Sequence, residues 1–333
     1  MKTTIEGERT ATSQQTAAVK QTHPEQALQI KTILVPLDFS RASMQALKYS
    51  IPLAEEFKAA IHLVHVQPVD EMTAIAGAGH LMLNCADAIA LMQDRLAEVQ
   101  HKNVRFWPDN CHVVSGRPFE KICELARELA VDLIVLPTRG HSGLKRVALG
   151  STAERVVRHA PCPVLIPRGK KYDALTWNGK AAGEFSLRKI LAPVDFSECS
   201  LAGANYAALL AKRFGARLRL FHAIFPYTQV FAIDRVAADA TPLIENARRN
   251  AEEQMDKLRQ LPSIREVPCE TEIRIGPAID EICGATGESD VDLVVTSTHG
   301  RTGFKHALLG SVAEHVVRYA DCPVLIVPSR SCA

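Results

Sequence analysis

Apolar positions along the chain fall into two alternating rhythms, and the whole alternation occurs twice. Short apolar runs at 32–37, 61–66, 132–137 and 164–166 have the length and β-branched content of strands buried on both faces. Between them lie stretches at 42–57, 80–101, 119–129 and 151–159 whose apolar spacing is helical. In the first of these Leu47, Ile51 and Ala54 share a face, and Pro52 is expected to bend or shorten the helix. Residues 111–115 make a further strand, and Gly116-Arg117-Pro118 turns the chain into the helix that follows. From Arg188 the same order returns. Lys-Ile-Leu-Ala-Pro193-Val-Asp195-Phe-Ser197 repeats Thr-Ile-Leu-Val-Pro36-Leu-Asp38-Phe-Ser40 at an offset of 157, and later segments repeat at 160. The three extra residues fall around the second helix of the second copy, 239–261.

Strand and helix alternate five times in each copy, which calls for a parallel sheet covered by helices on both faces. The expected domains are 31–168 and 188–329. Residues 1–30 are polar and aperiodic and read as a disordered tail, 72–79 as a flexible connection, and 169–187, with Asn178-Gly179, as a linker.

Composition narrows the function classes. The chain has 333 residues, enough for two ordinary domains, and its formal net charge of +2 is too small to favour nucleic acid or an anionic membrane. No apolar run reaches the length of a membrane helix, and the first residues lack the apolar core of a secretion signal, so a cytoplasmic location is expected. Of nine cysteines, Cys123 and Cys283 occupy matching positions, as do Cys162 and Cys322. None forms a C-x-x-C pair or a zinc-type cluster, so reduced thiols are expected, with Cys332 the most exposed.

The chemistry concentrates in one loop. After the fourth apolar run comes Pro137-Thr138-Arg139-Gly140-His141-Ser-Gly143-Leu-Lys145-Arg146, ending at Gly150-Ser151-Thr152; its twin is Ser297-Thr298-His299-Gly300-Arg301-Thr-Gly303-Phe-Lys305-His306, ending at Gly310-Ser311-Val312. Glycines let backbone approach a ligand, and the spare N–H groups of a helix start favour an anion such as phosphate. Ser151-x-x-Glu154 and Ser311-x-x-Glu314 also read as capping boxes, and both roles can coexist. The basic residues of both loops read either as a solvated surface or as groups that neutralise phosphate charge, and their recurrence in both copies favours the second. Asp38 and Asp195 end the first strands, where they either cap the next helix or meet a ligand at the carboxyl edge of the sheet. His65 and His222 read as packing histidines. No Walker loop, G-x-G-x-x-G, G-x-S-x-G or H-E-x-x-H occurs, and no nucleophile stands beside a base, so catalytic residues and protein metal ligands are not assigned.

The openings Val-Pro-Leu-Asp-Phe-Ser, His65-Val66, the loop ends Leu-Gly-Ser-(Thr/Val)-Ala-Glu and the closing Cys-Pro-Val-Leu-Ile resemble the universal stress protein family, in both halves. The resemblance implies two tandem flavodoxin-like (Rossmann-like) doubly wound domains, each a five-stranded parallel sheet. It implies binding of ATP or AMP, with Mg or Mn as candidate companions of the phosphates; a slow ATPase, in which a divalent ion and water suffice, stays open as an alternative. The first-half site would comprise Pro36, Asp38, Val66, Thr138, Gly140, Gly143, Gly150, Ser151 and Thr152. The second would comprise Pro193, Asp195, Ala223, Ser297, Thr298, His299, Gly300, Arg301, Gly303, Gly310, Ser311 and Val312. The family's first loop glycine is replaced by Pro137 and Ser297. Proline has no N–H to give a ligand whereas serine has both an N–H and a hydroxyl, so the second half is expected to be the tighter site. The alternative is a nucleotide-free scaffold for an unknown protein partner. The apolar last strands are edges that in this family pair between domains, so the halves are expected to form a pseudo-dimer within the chain, with a homodimer as a further assembly.

Overall fold

A computed structural model describes residues 28–68, 85–103, 110–137, 149–168, 187–225, 241–288, 291–300 and 309–328. Residues 1–27 of the expected tail, the 72–79 connection, nearly all of the linker and Cys332 lie outside them; the last residues of the expected tail are part of the fold instead, with Ile30 buried in the core and Leu28 packed against it.

In the first half the elements are β1 (Thr32–Pro36), α1 (Arg41–Phe57), β2 (Ala60–Gln67), α2 (Cys85–Asn103), β3 (Cys111–Ser115), α3 (Pro118–Glu128), β4 (Leu133–Val135), α4 (Ser151–His159) and β5 (Val164–Ile166). The second half has β6 (Lys189–Pro193), α5 (Glu198–Phe214), β7 (Arg217–Ile224), α6 (Thr241–Arg259), a short α7 (Pro262–Arg265), β8 (Cys269–Ile275), α8 (Ala278–Glu288), β9 (Leu293–Ser297), α9 (Ser311–Tyr319) and β10 (Val324–Val327). The strands form one ten-stranded sheet in the order β3-β2-β1-β4-β5-β10-β9-β6-β7-β8. Within each half all pairings are parallel. The doubly wound class holds, and within it the order 3-2-1-4-5 is the Rossmann arrangement, with the switch between β1 and β4.

The two halves meet strand to strand. β10 runs antiparallel to β5, with Leu325 opposite Leu165 and Val324 opposite Ile166. The apolar edges that either half alone would present to solvent are thereby covered. Two cores, one on each face, run across this junction. One joins Leu47, Leu96 and Leu165 to Leu325, Ala207 and Met255; the other joins Ile122, Val156 and Ile166 to Ile326, Val316 and Ile282.

Local chemistry fixes the register around the switch. The Asp132 carboxylate accepts from the backbone N–H groups of Lys31 (2.7 Å) and Thr32 (3.0 Å), tying the start of β4 to that of β1. Asp292 repeats this with Arg188 (2.8 Å) and Lys189 (3.1 Å). Contrary to the expected shortening, α1 continues through Pro52 to Phe57. Proline's φ suits a helix, and burial of Leu47, Ile51, Leu53 and Ala54 against the sheet outweighs the missing backbone hydrogen bond.

Candidate functional site

The carboxyl ends of β1, β2 and β4 open onto a cavity of about 640 Å³ in the first half. Its wall includes Pro36, Asp38 and Phe39 after β1, Val66 and Gln67 of β2, Pro137 after β4, and Gly150, Ser151 and Thr152 at the start of α4. Residues far apart in sequence converge here because β1 pairs directly with both β2 and β4. Of the expected first-half residues, Pro36, Asp38, Val66, Gly150, Ser151 and Thr152 are brought together. Thr138, Gly140 and Gly143, with Arg139, His141, Lys145 and Arg146, lie outside the described residues.

The turn after β1 is tightly specified. Phe39 adopts a left-handed backbone (φ 60°), a strained state for a residue with a bulky side chain. The Asp38 carboxylate accepts from Ser40 N–H at 3.0 Å, and Ser40 in turn caps α1 by accepting from Ser43 N–H at 3.2 Å. The helix cap is therefore the serine, while the aspartate holds the turn and lines the cavity. His65 contacts the Leu37 carbonyl through Nδ1 at 2.8 Å; a carbonyl only accepts, so Nδ1 carries the proton. Its ring packs on Phe39, 5.0 Å between centroids, while the Arg95 guanidinium from α2 lies 5.9 Å from the Phe39 ring centre. Met92 and Arg95 of α2, which also line the cavity, were not anticipated from the sequence.

The second half repeats the turn. Phe196 has φ 63°, and the Asp195 carboxylate accepts from Ser197 N–H (3.0 Å) and Ser197 Oγ–H (2.6 Å). His222 Nδ1 bonds the Val194 carbonyl at 2.7 Å, and its ring packs on Phe196 at 4.5 Å. The loop after β9 comes directly against this aspartate. A Cβ built on Gly300 would lie 2.4 Å from Asp195 Oδ2, so only glycine fits there without displacing the carboxylate. Gly310 N–H donates to the Thr298 carbonyl at 2.8 Å, closing the loop at the start of α9, and Thr298 N–H donates to Val327. Pro193 ends β6 beside Phe221, while Ala223 and Val312 pack on one core. Arg301, Gly303, Lys305 and His306 lie outside the described residues.

Two expectations are corrected. Ser151 and Ser311 are the first helical residues, not caps; Gly150 and Gly310 occupy the cap positions, with no side-chain cap bond. One residue inside the helix, a serine hydroxyl no longer reaches the backbone N–H three positions on, and Glu154 and Glu314 instead pair with Arg158 and Arg318. The first-turn N–H groups of α4 and α9 consequently have no intrahelical acceptor. The second correction concerns Ser297. Its hydroxyl, on a buried side chain, donates to the His299 carbonyl at 2.7 Å and is not an open donor to a ligand.

A profile of the universal stress protein family matches residues 29–168 and 186–328. The chain belongs to that family. A universal stress protein of Methanocaldococcus jannaschii is 35% identical over 145 residues, covering 43% of this chain and 85% of that one. One from Mycobacterium bovis is 25% identical over 245 residues, 72% of this chain and 74% of its own length, so the likeness there extends across both halves. The crystal structure of a universal stress protein from Archaeoglobus fulgidus superposes with a TM-score of 0.57 at 18% identity, covering 90% of this chain and 97% of that one, a similarity of fold.

Proposed function

We propose that this universal stress protein binds an adenine nucleotide, ATP or AMP, in the cavity at the carboxyl ends of β1, β2 and β4, and acts in the cytoplasm as a regulatory protein whose occupancy a protein partner reads. The observation that carries this reading is the cavity itself. Its volume of about 640 Å³ suits a nucleotide-sized ligand, and it joins an apolar wall to the start of α4. Val64, Val66, Ile122 and Leu136 offer the apolar surface that a base needs. The first-turn N–H groups of Ser151 and Thr152 offer a phosphate its donors, reinforced by the helix dipole. Among the described residues no group of three or more His, Cys, Asp or Glu side chains is arranged to hold a metal ion, and Mg or Mn would be held mainly by the phosphates.

This moves the weight to the first half. Preference for the second rested partly on Ser297 as a donor, and that hydroxyl is engaged within the chain. The close approach of Gly300 to Asp195 keeps the second half as the alternative site. The scaffold reading draws on the same engaged hydroxyl and on Pro137, which has no N–H to offer. Calorimetry of ATP with the full chain, and with Asp38→Ala and Asp195→Ala, separates these readings. The expected result is binding weakened by Asp38→Ala and little changed by Asp195→Ala. The converse assigns the second half, and silence at millimolar ATP overturns the nucleotide reading.

A further inference from the structure

Gln67, the last residue of β2, is 4% exposed, lines the first-half cavity, and its Oε1 has no hydrogen-bond partner among the described residues. A buried carbonyl oxygen left without a donor destabilises the protein that carries it. The fold does not require it. His65 and His222 make the same bond to equivalent carbonyls, so the residue two positions on from each is equivalent: Gln67 in one half and Ile224 in the other. The backbone confirms the match, because the Gln67 carbonyl accepts from Gly116 N–H (3.0 Å) and the Ile224 carbonyl from Gly276 N–H (2.9 Å). An apolar side chain therefore completes the same strand end, and the carboxamide is an extra polar group at the cavity wall of one half alone.

Its place in the sheet indicates what it meets. β2 lies on the opposite side of β1 from β4, and α4 begins in the loop after β4. A ligand whose anionic end is held at Ser151 and Thr152 reaches the end of β2 with its far end. Val64, Val66 and Met92, which line the cavity beside it, offer no hydrogen bond of comparable strength, and the polar lining residues Asp38, His65 and Arg95 make their contacts with the turn after β1. An amide presents an acceptor and a donor side by side, and this pair matches the amino edge of adenine.

We propose that the Gln67 carboxamide recognises the exocyclic amine of the purine, so that the first half selects a 6-aminopurine nucleotide and the second half, with Ile224, does not. This assignment rests on the nucleotide reading above. The test compares ATP with purine riboside triphosphate, which lacks only that amine, by calorimetry on the full-length chain. The wild-type protein is expected to bind ATP about 10- to 100-fold more tightly than the analogue, as a site does when one of its buried polar groups is left unpaired. Gln67→Ile, which copies the second half, is expected to bring the two within about 2-fold by weakening ATP alone. Unliganded Gln67→Ile should unfold at the same or a higher urea concentration than the wild type, since it removes the unpaired oxygen. A discrimination ratio unchanged in Gln67→Ile, or a variant less stable without ligand, overturns the assignment while leaving nucleotide binding intact. No binding of either nucleotide to the wild type overturns the nucleotide reading and this inference with it.

Discussion

Replacing Gly300 by alanine puts a methyl group where the Asp195 carboxylate already sits. The new Cβ would lie 2.4 Å from Oδ2 and 3.3 Å from the carboxyl carbon, so one of the two must move by about 1 Å to restore an ordinary contact. The carboxylate cannot swing aside freely, because its other oxygen holds Ser197 through both N–H (3.0 Å) and Oγ–H (2.6 Å), and Ser197 caps α5. Relief therefore comes from breaking charged hydrogen bonds or from shifting the loop backbone. Overpacking of this kind costs about 1–3 kcal/mol, and a hydrogen bond to a charged group about 1.5–3 kcal/mol, so we expect Gly300→Ala to cost about 2–3 kcal/mol. Urea denaturation at unchanged slope reads this directly. In an Asp195→Ala background the clash is absent, and the same substitution should cost less than about 0.5 kcal/mol, a coupling expected only of groups in contact. Costs that simply add in the double variant, or a Gly300→Ala protein as stable as the wild type, would refute the close approach on which the second-half site is built.

Other outcomes follow from the same geometry. His62 and His112 stack across β2 and β3 with ring nitrogens 3.0 Å apart, and burial lowers the pKa of both, aided at His62 by His112 and opposed at His112 by Glu128. With folded-state values below the unfolded 6.5, the unfolded chain binds more protons; stability is complete above about pH 6.5 and falls as pH drops below it. The second half has Arg219 and Glu272 at the corresponding positions, 3.0 Å apart, so the double change His62→Arg with His112→Glu should flatten a urea-midpoint titration between pH 7 and 5. At the junction, Leu165 and Leu325 are 4% and 3% exposed and directly opposed, so either changed to lysine buries an ammonium among apolar groups. Each should cost more than about 3 kcal/mol and expose apolar surface to a fluorescent dye; unchanged stability would count against the covered edges. Burial pushes the Cys123 thiol up to about 11 and that of Cys162 to about 12, so neither should react with a thiol reagent at pH 8 until the protein unfolds.

Much of the fold was legible in the residues because its signals are local. Apolar runs three to six residues long became strands three to eight residues long, and the repeat supplied most assignments twice. The candidate site was legible in outline for the same reason: Asp38 and Gly150 stand at ends of elements, where pattern breaks. What failed depended on where the chain sits to within one residue. The Ser-x-x-Glu spacing of Ser151 and Ser311 suits a cap, yet the helices begin at the serine itself. Ser40 and Ser197 cap α1 and α5, although the aspartates two residues earlier carry the same capping signal in the sequence. Gln67 carried a weak signal, a polar residue closing an apolar strand where its repeat has Ile224.

The amino-acid sequence by itself determined the duplication, the alternating elements and a parallel sheet covered on both faces, since these follow from periodicity along the chain, and its motifs carried the resemblance to the family. Only the tertiary structure decided that the two sheets join through β5 and β10, that Ser297 is spent on its own loop, that Gly300 abuts Asp195, and that a nucleotide-sized cavity stands over β1, β2 and β4. The physical reason is range. Propensity and hydrophobic period act within a few residues, whereas a cavity, a clash or an unpaired oxygen is set by atoms that approach only after distant segments have packed.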